Sequence, residues 1–273
     1  MANPDRFAQR IVCLTEEPTE VLYALGEEQR IVGISGFTVR PPRARKEKPK
    51  VSAFTSAKIG AILDLEPDLV IGFSDIQADI ARDLIRAGIE VWISNHRSVD
   101  GILAYVRRLG AMVGAAAKAE RYAVEAEEHI AAVRQSAAAL PRRPRVYFEE
   151  WDEPPISGIR WVAELIRIAG GDDVFPELAE KSLARDRIIA DPGEIARRQP
   201  DLILASWCGK KFRPDVVAAR PGWQDIPAVR NRHLYEIKAP IILQPGPAAL
   251  FDGLDALHRR IAEVANAGQC GRG

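Results

Sequence analysis

The chain has 273 residues, 47% of them apolar and 28% charged, the profile of a globular protein with one large domain or two of about 100–200 residues. Lys plus Arg and Asp plus Glu both number 38, so the formal net charge is zero, which excludes a polyanion-binding surface built on bulk charge. Three scattered cysteines, Cys13, Cys208 and Cys270, make neither a disulfide framework nor a thiolate metal site, and fit a reducing compartment.

The first residues hold no apolar run of the roughly 7–15 positions that a secretory leader needs. No later run approaches the ~20 needed to span a membrane. The expectation is therefore a cytoplasmic protein as written, or a periplasmic one if a leader has been removed. Residues 10–14 read as a strand with Cys13 buried in it, 19–25 as a helix following Pro18, and 31–35 as a strand. The basic stretch 40–50, broken by Pro41, Pro42 and Pro49, reads as a solvated loop. A helix over 57–65, a strand over 69–73, a helix over 76–87 and a strand over 90–94 follow. His96, just beyond that strand, is a candidate to face a cleft.

Residues 115–140 are rich in Ala, Glu and Arg and contain no Gly or Pro, with Tyr122, Ala126, Ile130 and Val133 at helical spacing. Pro141 ends this helix, which at 1.5 Å per residue is about 37 Å long, enough to run from one domain to another. Beyond it, 145–151, 202–206 and 233–237 read as strands and 161–169 as a helix. The last helix, 247–265, carries the stripe Leu250, Leu254, Leu257, Ile261 and Val264. His129 and His258 fall on helix faces expected to be solvated, and His233 after a turn has a structural role. Cys270 sits in a Gly-rich tail expected to be disordered.

Strand–helix alternation predicts parallel sheets built from βαβ units. An internal repeat predicts two related lobes: Gly60-Ala-Ile-Leu-Asp-Leu-Glu-Pro-Asp-Leu-Val-Ile-Gly-Phe73 returns as Gly193-Glu-Ile-Ala-Arg-Arg-Gln-Pro-Asp-Leu-Ile-Leu-Ala-Ser206. The boundaries expected are 1–114 for the first α/β lobe, 115–140 for the linking helix and 141–273 for the second lobe. No glycine-rich phosphate loop, no nucleophile elbow and no His-rich metal motif is present. The cluster Glu149, Glu150, Asp152 and Glu153 is the one candidate for acid/base or metal chemistry. No catalytic residue and no metal ligand is assigned.

Several segments, taken in order, resemble one family. They are Arg10-Ile-Val-Cys-Leu-Thr, Pro18-Thr-Glu-Val-Leu-Tyr-Ala-Leu-Gly26, Val32-Gly-Ile-Ser35 with Pro41-Pro42, Leu65-Glu-Pro-Asp-Leu-Val-Ile71, Pro154-Pro-Ile-Ser-Gly158 and Ala169-Gly-Gly-Asp-Asp-Val-Phe175. From about residue 10 to 265 the chain resembles the metal-chelate substrate-binding proteins of ABC importers, in their cobalamin-binding branch. The resemblance implies two Rossmann-like lobes with parallel sheets, joined by a single long α-helix. It implies a ligand, cobalamin or a related corrinoid, held without chemistry in the inter-lobe cleft, and no covalently attached cofactor.

The ligand contacts that the resemblance implies are Phe37, Phe54, Phe73, Glu150, Trp151, Arg187, Trp207 and Gln244. Phe54 and Phe73 stand where cobalamin-binding relatives carry tryptophan, and Arg187 falls near another. Trp207, beyond a strand and beside two lysines, is expected to be exposed to a planar or acidic ligand. Gly60 and Gly193 stand where exported members place the glutamates that dock on the permease, so docking on a standard importer is not expected. No nucleic-acid partner and no membrane insertion is expected. Two other readings remain. An iron-chelate (siderophore) or haem binder would use Arg40, Arg97, Arg160 and Arg187, and an enzyme would use the Glu149–Glu153 cluster.

Overall fold

The computed structural model describes residues 7–267; Cys270 lies outside them. By its internal packing the chain divides into two units, one of residues 7–96, 100–126 and 245–247, the other of 97–99, 127–244 and 248–267.

The N-terminal unit is a five-stranded sheet, all parallel, in the order β3-β2-β1-β4-β5. Its strands are β1 (Ile11–Cys13), β2 (Ile31–Ser35), β3 (Lys50–Ser52), β4 (Leu69–Phe73) and β5 (Val91–Ser94). The crossovers carry α1 (Glu16–Ala24), α2 (Ala44–Glu47), α3 (Ile59–Leu63) and α4 (Ala78–Arg86), and then α5 (Val99–Met112) and α6 (Ala116–Ala138) follow. Strands buried on both faces read as continuous apolar runs, and β1 and β4 do. Ile11, Cys13 and Ile71 pack with Val21, Leu22 and Leu109 on one side; Val12 and Val70 pack with Ile62, Ile80 and Leu84 on the other. In this unit α5 approaches α6 so closely that a Cβ at Gly110 would collide with Ala119.

The 23 residues of α6 match the long helix expected from the sequence, and the division between the units falls within it. The C-terminal unit has β6 (Arg145–Asp152), β7 (Pro155–Ser157), β8 (Asp172–Asp173), β9 (Leu202–Ala205) and β10 (Leu234–Glu236). Their order is β10-β9-β6-β7, with β8 also paired to β6. Only β7 runs antiparallel, so this sheet is not purely parallel. Its helices are α7 (Arg160–Ile168), α8 (Pro176–Ala179), α9 (Gly193–Arg197), α10 (Pro214–Ala218), α11 (Pro227–Arg230), α12 (Ala239–Ile242) and α13 (Leu254–Ala267). Tyr147, Ile203, Trp223 and Ile226 centre its core.

The internal repeat is visible in the backbone. In each copy a one-turn helix, α3 or α9, ends on a left-handed residue just before proline, Glu66 at φ 46° and Gln199 at φ 44°. A non-glycine residue there costs on the order of 1 kcal/mol, so its return at the matching position argues against chance. The aspartate after each proline has a matching task as well. Asp68 accepts the N–H groups of Gln9 (2.6 Å) and Arg10 (2.9 Å) at the entry to β1. Asp201 accepts that of Arg145 (2.8 Å) at the entry to β6.

Two histidines expected to be solvated are half-buried and held by neighbours. His258 donates from Nδ1 to the Ala169 carbonyl (2.9 Å) and accepts from Ser136 Oγ (2.9 Å). His129 lies 3.0 Å from the Asp255 carboxylate and against the Phe251 ring. Among the described residues no helix is long and apolar enough to cross a membrane.

Candidate functional site

Because β1–β5 are parallel, their carboxyl ends line one edge of the N-terminal sheet, the usual place for sites in open α/β sheets. Across the sheet that edge carries Phe54 beyond β3, Phe37 beyond β2, Thr15 to Glu17 beyond β1, Phe73 closing β4 and His96 beyond β5. Topology thus brings three of the eight expected contact residues to one edge. Phe37 is 50% exposed, which an apolar ring tolerates only without a core to join. Phe54 is half-buried. Phe73 is buried, with its ring edge-on to His96 at 5.4 Å.

His96 is tied within this unit. Its Nε2 donates to the Pro245 carbonyl (2.6 Å), its Nδ1 meets Ser94 Oγ (2.7 Å), and its ring stacks on Tyr105 at 4.5 Å. These bonds hold residues 245–247 over the start of α1, where Gly246 lies against Glu17 so closely that a Cβ would come within 2.8 Å of the glutamate Cβ.

The centre of the edge holds a pair of acids. Glu16 is 8% exposed and Glu17 1%. Both stand in the first turn of α1, where exposed amides and the helix dipole favour a carboxylate. Burial outweighs that help. Lost hydration pushes the Glu16 carboxyl up to about 8, with repulsion from Glu17 and Glu20 added. It pushes Glu17 up to about 7, against the bond from Thr15. Thr15 Oγ1 donates to Glu17 Oε1 at 2.6 Å, while Glu17 Oε2 has no partner.

In the C-terminal unit the carboxyl ends of β6 and β9 bring Glu149, Glu150, Trp151 and Asp152 beside Ser206 and Trp207. Each of these carboxylates has its own cation. Arg220 grips Glu149 with two bonds of 2.6 and 2.9 Å, and Tyr147 donates to the same carboxylate at 3.0 Å. Arg187 grips Glu150 at 2.6 and 2.9 Å and donates to the Ser157 carbonyl. Lys210 pairs with Asp152. Acid or base catalysis by these groups would first have to break an ion pair, so this geometry does not favour the enzyme reading.

Two expectations are corrected here. Arg187 is buried within its ion pair instead of lying open to a ligand. Trp207 is 4% exposed, not the open ring expected, because it packs edge-on to Phe212 at 5.2 Å in the core of the unit. Lys210 lies over both Trp207 (5.2 Å) and the half-buried Trp151 (5.7 Å). Gln244 is half-buried just beyond α12.

Two lobes with β-strand edges of this kind and one long helix between them invite comparison with known proteins. The family described as periplasmic binding protein matches residues 11–241. The chain belongs to that family. Among its relatives, the vitamin B12-binding protein of Vibrio campbellii is 26% identical over 243 residues, covering 87% of this chain and 84% of that protein. The periplasmic heme-binding protein RhuT from Roseiflexus sp. RS-1, solved in its apo form, superposes with a TM-score of 0.80 at 26% identity, covering 94% of this chain and 99% of that one. The periplasmic vitamin B12-binding protein BtuF of Vibrio cholerae gives a TM-score of 0.75 at 22% identity, covering 95% and 98%, a likeness of fold.

These relatives bear out the fold of two α/β lobes and the family that the sequence resembles. Periplasmic binding proteins bind substrates and do not transform them. Both solved relatives are periplasmic proteins, so the expectation of a cytoplasmic protein has no support from them. The glycines expected at the docking positions lie at the starts of α3 and α9. Gly60 faces open space, and Gly193 lies beside Asp191 and Arg197.

Proposed function

We propose that this periplasmic binding protein binds a corrinoid of the cobalamin class, without chemical change, using the carboxyl-end edge of its N-terminal sheet. The observation that carries the reading is the aromatic row on that edge, Phe54, Phe37 and Phe73, with Phe37 half exposed and packed into no core. Aromatic faces suit a broad planar macrocycle, and the likeness to vitamin B12-binding proteins supports that choice. The half-buried Trp151 and Gln244 are the candidates from the C-terminal unit. A haem or ferric chelate is the second reading, favoured by the likeness to RhuT.

Titration of the intrinsic tryptophan fluorescence with cyanocobalamin, hemin and a ferric siderophore tests this. Saturable quenching by cyanocobalamin at micromolar concentration or below is expected. Phe37→Ala is expected to weaken it about tenfold, as the loss of one exposed aromatic contact implies, with little change in melting temperature. Saturation by hemin or the siderophore alone would overturn the corrinoid assignment.

We also propose a periplasmic location and weak coupling to any permease that reads carboxylates at positions 60 and 193, since glycine supplies no charge there. In a reconstituted cobalamin importer the protein is expected to leave ATP hydrolysis unstimulated, and Gly60→Glu with Gly193→Glu is expected to raise it. Equal stimulation by both proteins would sink the idea.

A further inference from the structure

The acids of the C-terminal unit and those of the N-terminal unit are treated differently by their surroundings. Glu149, Glu150 and Asp152 are each held by an arginine or lysine. Glu16 and Glu17 are held by none. Arg45 is the cation that acts on Glu16, but its Nη1 is spent on the carbonyls of Gly36 and Thr38, both at 2.7 Å. Arg40 pairs with Glu20 instead (3.1 Å). No described residue gives Glu16 a side-chain hydrogen bond or an ion pair.

The unmet hydrogen-bonding capacity goes beyond the two acids. Glu17 Oε2 and the Tyr105 hydroxyl are both buried without a partner. Burial, with the nearby Glu17 carboxyl added, pushes the Tyr105 hydroxyl well above its ordinary value. Buried polar groups are nearly always satisfied in native proteins, so a group of orphans at one place calls for a missing partner. The place is the middle of the carboxyl-end edge, because β1 is the central strand, with Phe37 on one side and Phe73 on the other.

Resting on the corrinoid reading above, we propose that Glu16, backed by Glu17, is the specificity determinant of this edge: it takes the uncharged primary amides on a ligand's rim and rejects rim carboxylates. A carboxyl and a primary amide are complementary at two points. The amide N–H donates to the carboxyl C=O, and a carboxyl O–H donates to the amide C=O. A ligand carboxylate has no donor to offer, and it meets the charge of whichever acid is ionised, with no arginine to offset the repulsion. Cobalamin carries amides around its corrin ring. Haem carries propionates in the corresponding place, and many siderophores carry carboxylates.

The test measures binding of the full-length protein at pH 7.5 by fluorescence quenching and calorimetry. Three probes are used: cyanocobalamin, cyanocobalamin with ring amides hydrolysed to carboxylates, and hemin. The parent protein is expected to bind cyanocobalamin at least tenfold more tightly than either acidic probe. Glu16→Ala is expected to lose about tenfold for cyanocobalamin, the scale of a lost two-point hydrogen bond. Glu16→Gln, whose amide keeps both points and drops the charge, is expected to stay within about threefold of the parent for cyanocobalamin and to bind the hydrolysed probe at least fivefold better than the parent does. That rescue separates recognition from a merely structural role. Equal cyanocobalamin affinity in the parent and Glu16→Ala, or acidic probes bound as tightly as the amide probe by the parent, would overturn the inference while the family reading stood. A parent protein that bound none of the three would overturn the corrinoid reading and this inference with it.

Discussion

A Glu16→Gln, Glu17→Gln double variant is expected to melt roughly 5–10 °C above the parent at pH 8.5 and within about 2 °C of it at pH 5. Both acids titrate near 4.5 in the unfolded chain; burial pushes Glu16 up to about 8 and Glu17 up to about 7 in the folded one. Between those limits the folded protein holds more protons than the unfolded chain. Raising the pH through this window therefore withdraws protons from sites that resist charge, and stability falls as pH rises. Each unit is worth about 1.4 kcal/mol. The two acids repel each other, so their costs overlap, and a combined penalty of about 2–4 kcal/mol above pH 8 is the reasonable scale. Gln removes the ionisation and keeps the acceptor that Thr15 uses. Thermal melts followed by circular dichroism at the two pH values measure this. A gap between variant and parent that did not widen with pH would mean that these carboxyls are not strained by burial.

Arg220→Met is expected to be the most damaging substitution among the ion pairs of the C-terminal unit, at about 3–5 kcal/mol, or roughly 10 °C in melting temperature. Glu149 is fully buried and has Arg220 as its counter-ion, with Tyr147 as a further donor. Without the guanidinium a full charge is left in the interior. Met keeps an apolar stem of similar length and gives up the guanidinium that lies over the Trp223 ring at 4.7 Å. Adding Glu149→Gln removes the stranded charge, still accepts from Tyr147, and is expected to recover at least half the loss. Arg82→Met, which breaks an exposed pair with Asp79, is expected to leave the urea midpoint almost unchanged, because water screens that pair. Urea unfolding of the four proteins checks the order, and equal losses for Arg220→Met and Arg82→Met would refute it.

Strand placement was legible in the sequence where strands are buried on both faces. The runs 31–35 and 69–73 coincide with β2 and β4, because a β-branched run between Gly and Pro signals has little else to be. β3 escaped notice because Lys50, Val51 and Ser52 sit at the end of a basic, proline-broken stretch. α5 escaped because Gly101 and Gly110 interrupt its pattern, and Gly110 is there to let α6 approach. The site was legible in part. The three Phe positions followed from the family resemblance, whereas Trp207 could not be judged, since only the fold reveals that Phe212 and the rest of that core close over it. Glu16 and Glu17 fall outside the helix that the sequence pattern places at 19–25, on the far side of Pro18. Proline is tolerated in a helix's first turn, where its N–H would have no partner, so α1 begins two residues before it and carries both acids inward. Two acids directly after an apolar strand were the available signal.

The chain returns to its N-terminal unit very late. Residues 245–247 belong to that unit, cover Glu17 with Gly246 and accept a hydrogen bond from His96 at the Pro245 carbonyl. During synthesis, then, the first lobe to emerge is finished only after most of the second has been made. Until nearly the whole polypeptide has left the ribosome, Glu17 at the start of α1 lacks that cover. Covering Glu17 is therefore a late event of biogenesis, and it cannot come before the chain has been made through residue 247.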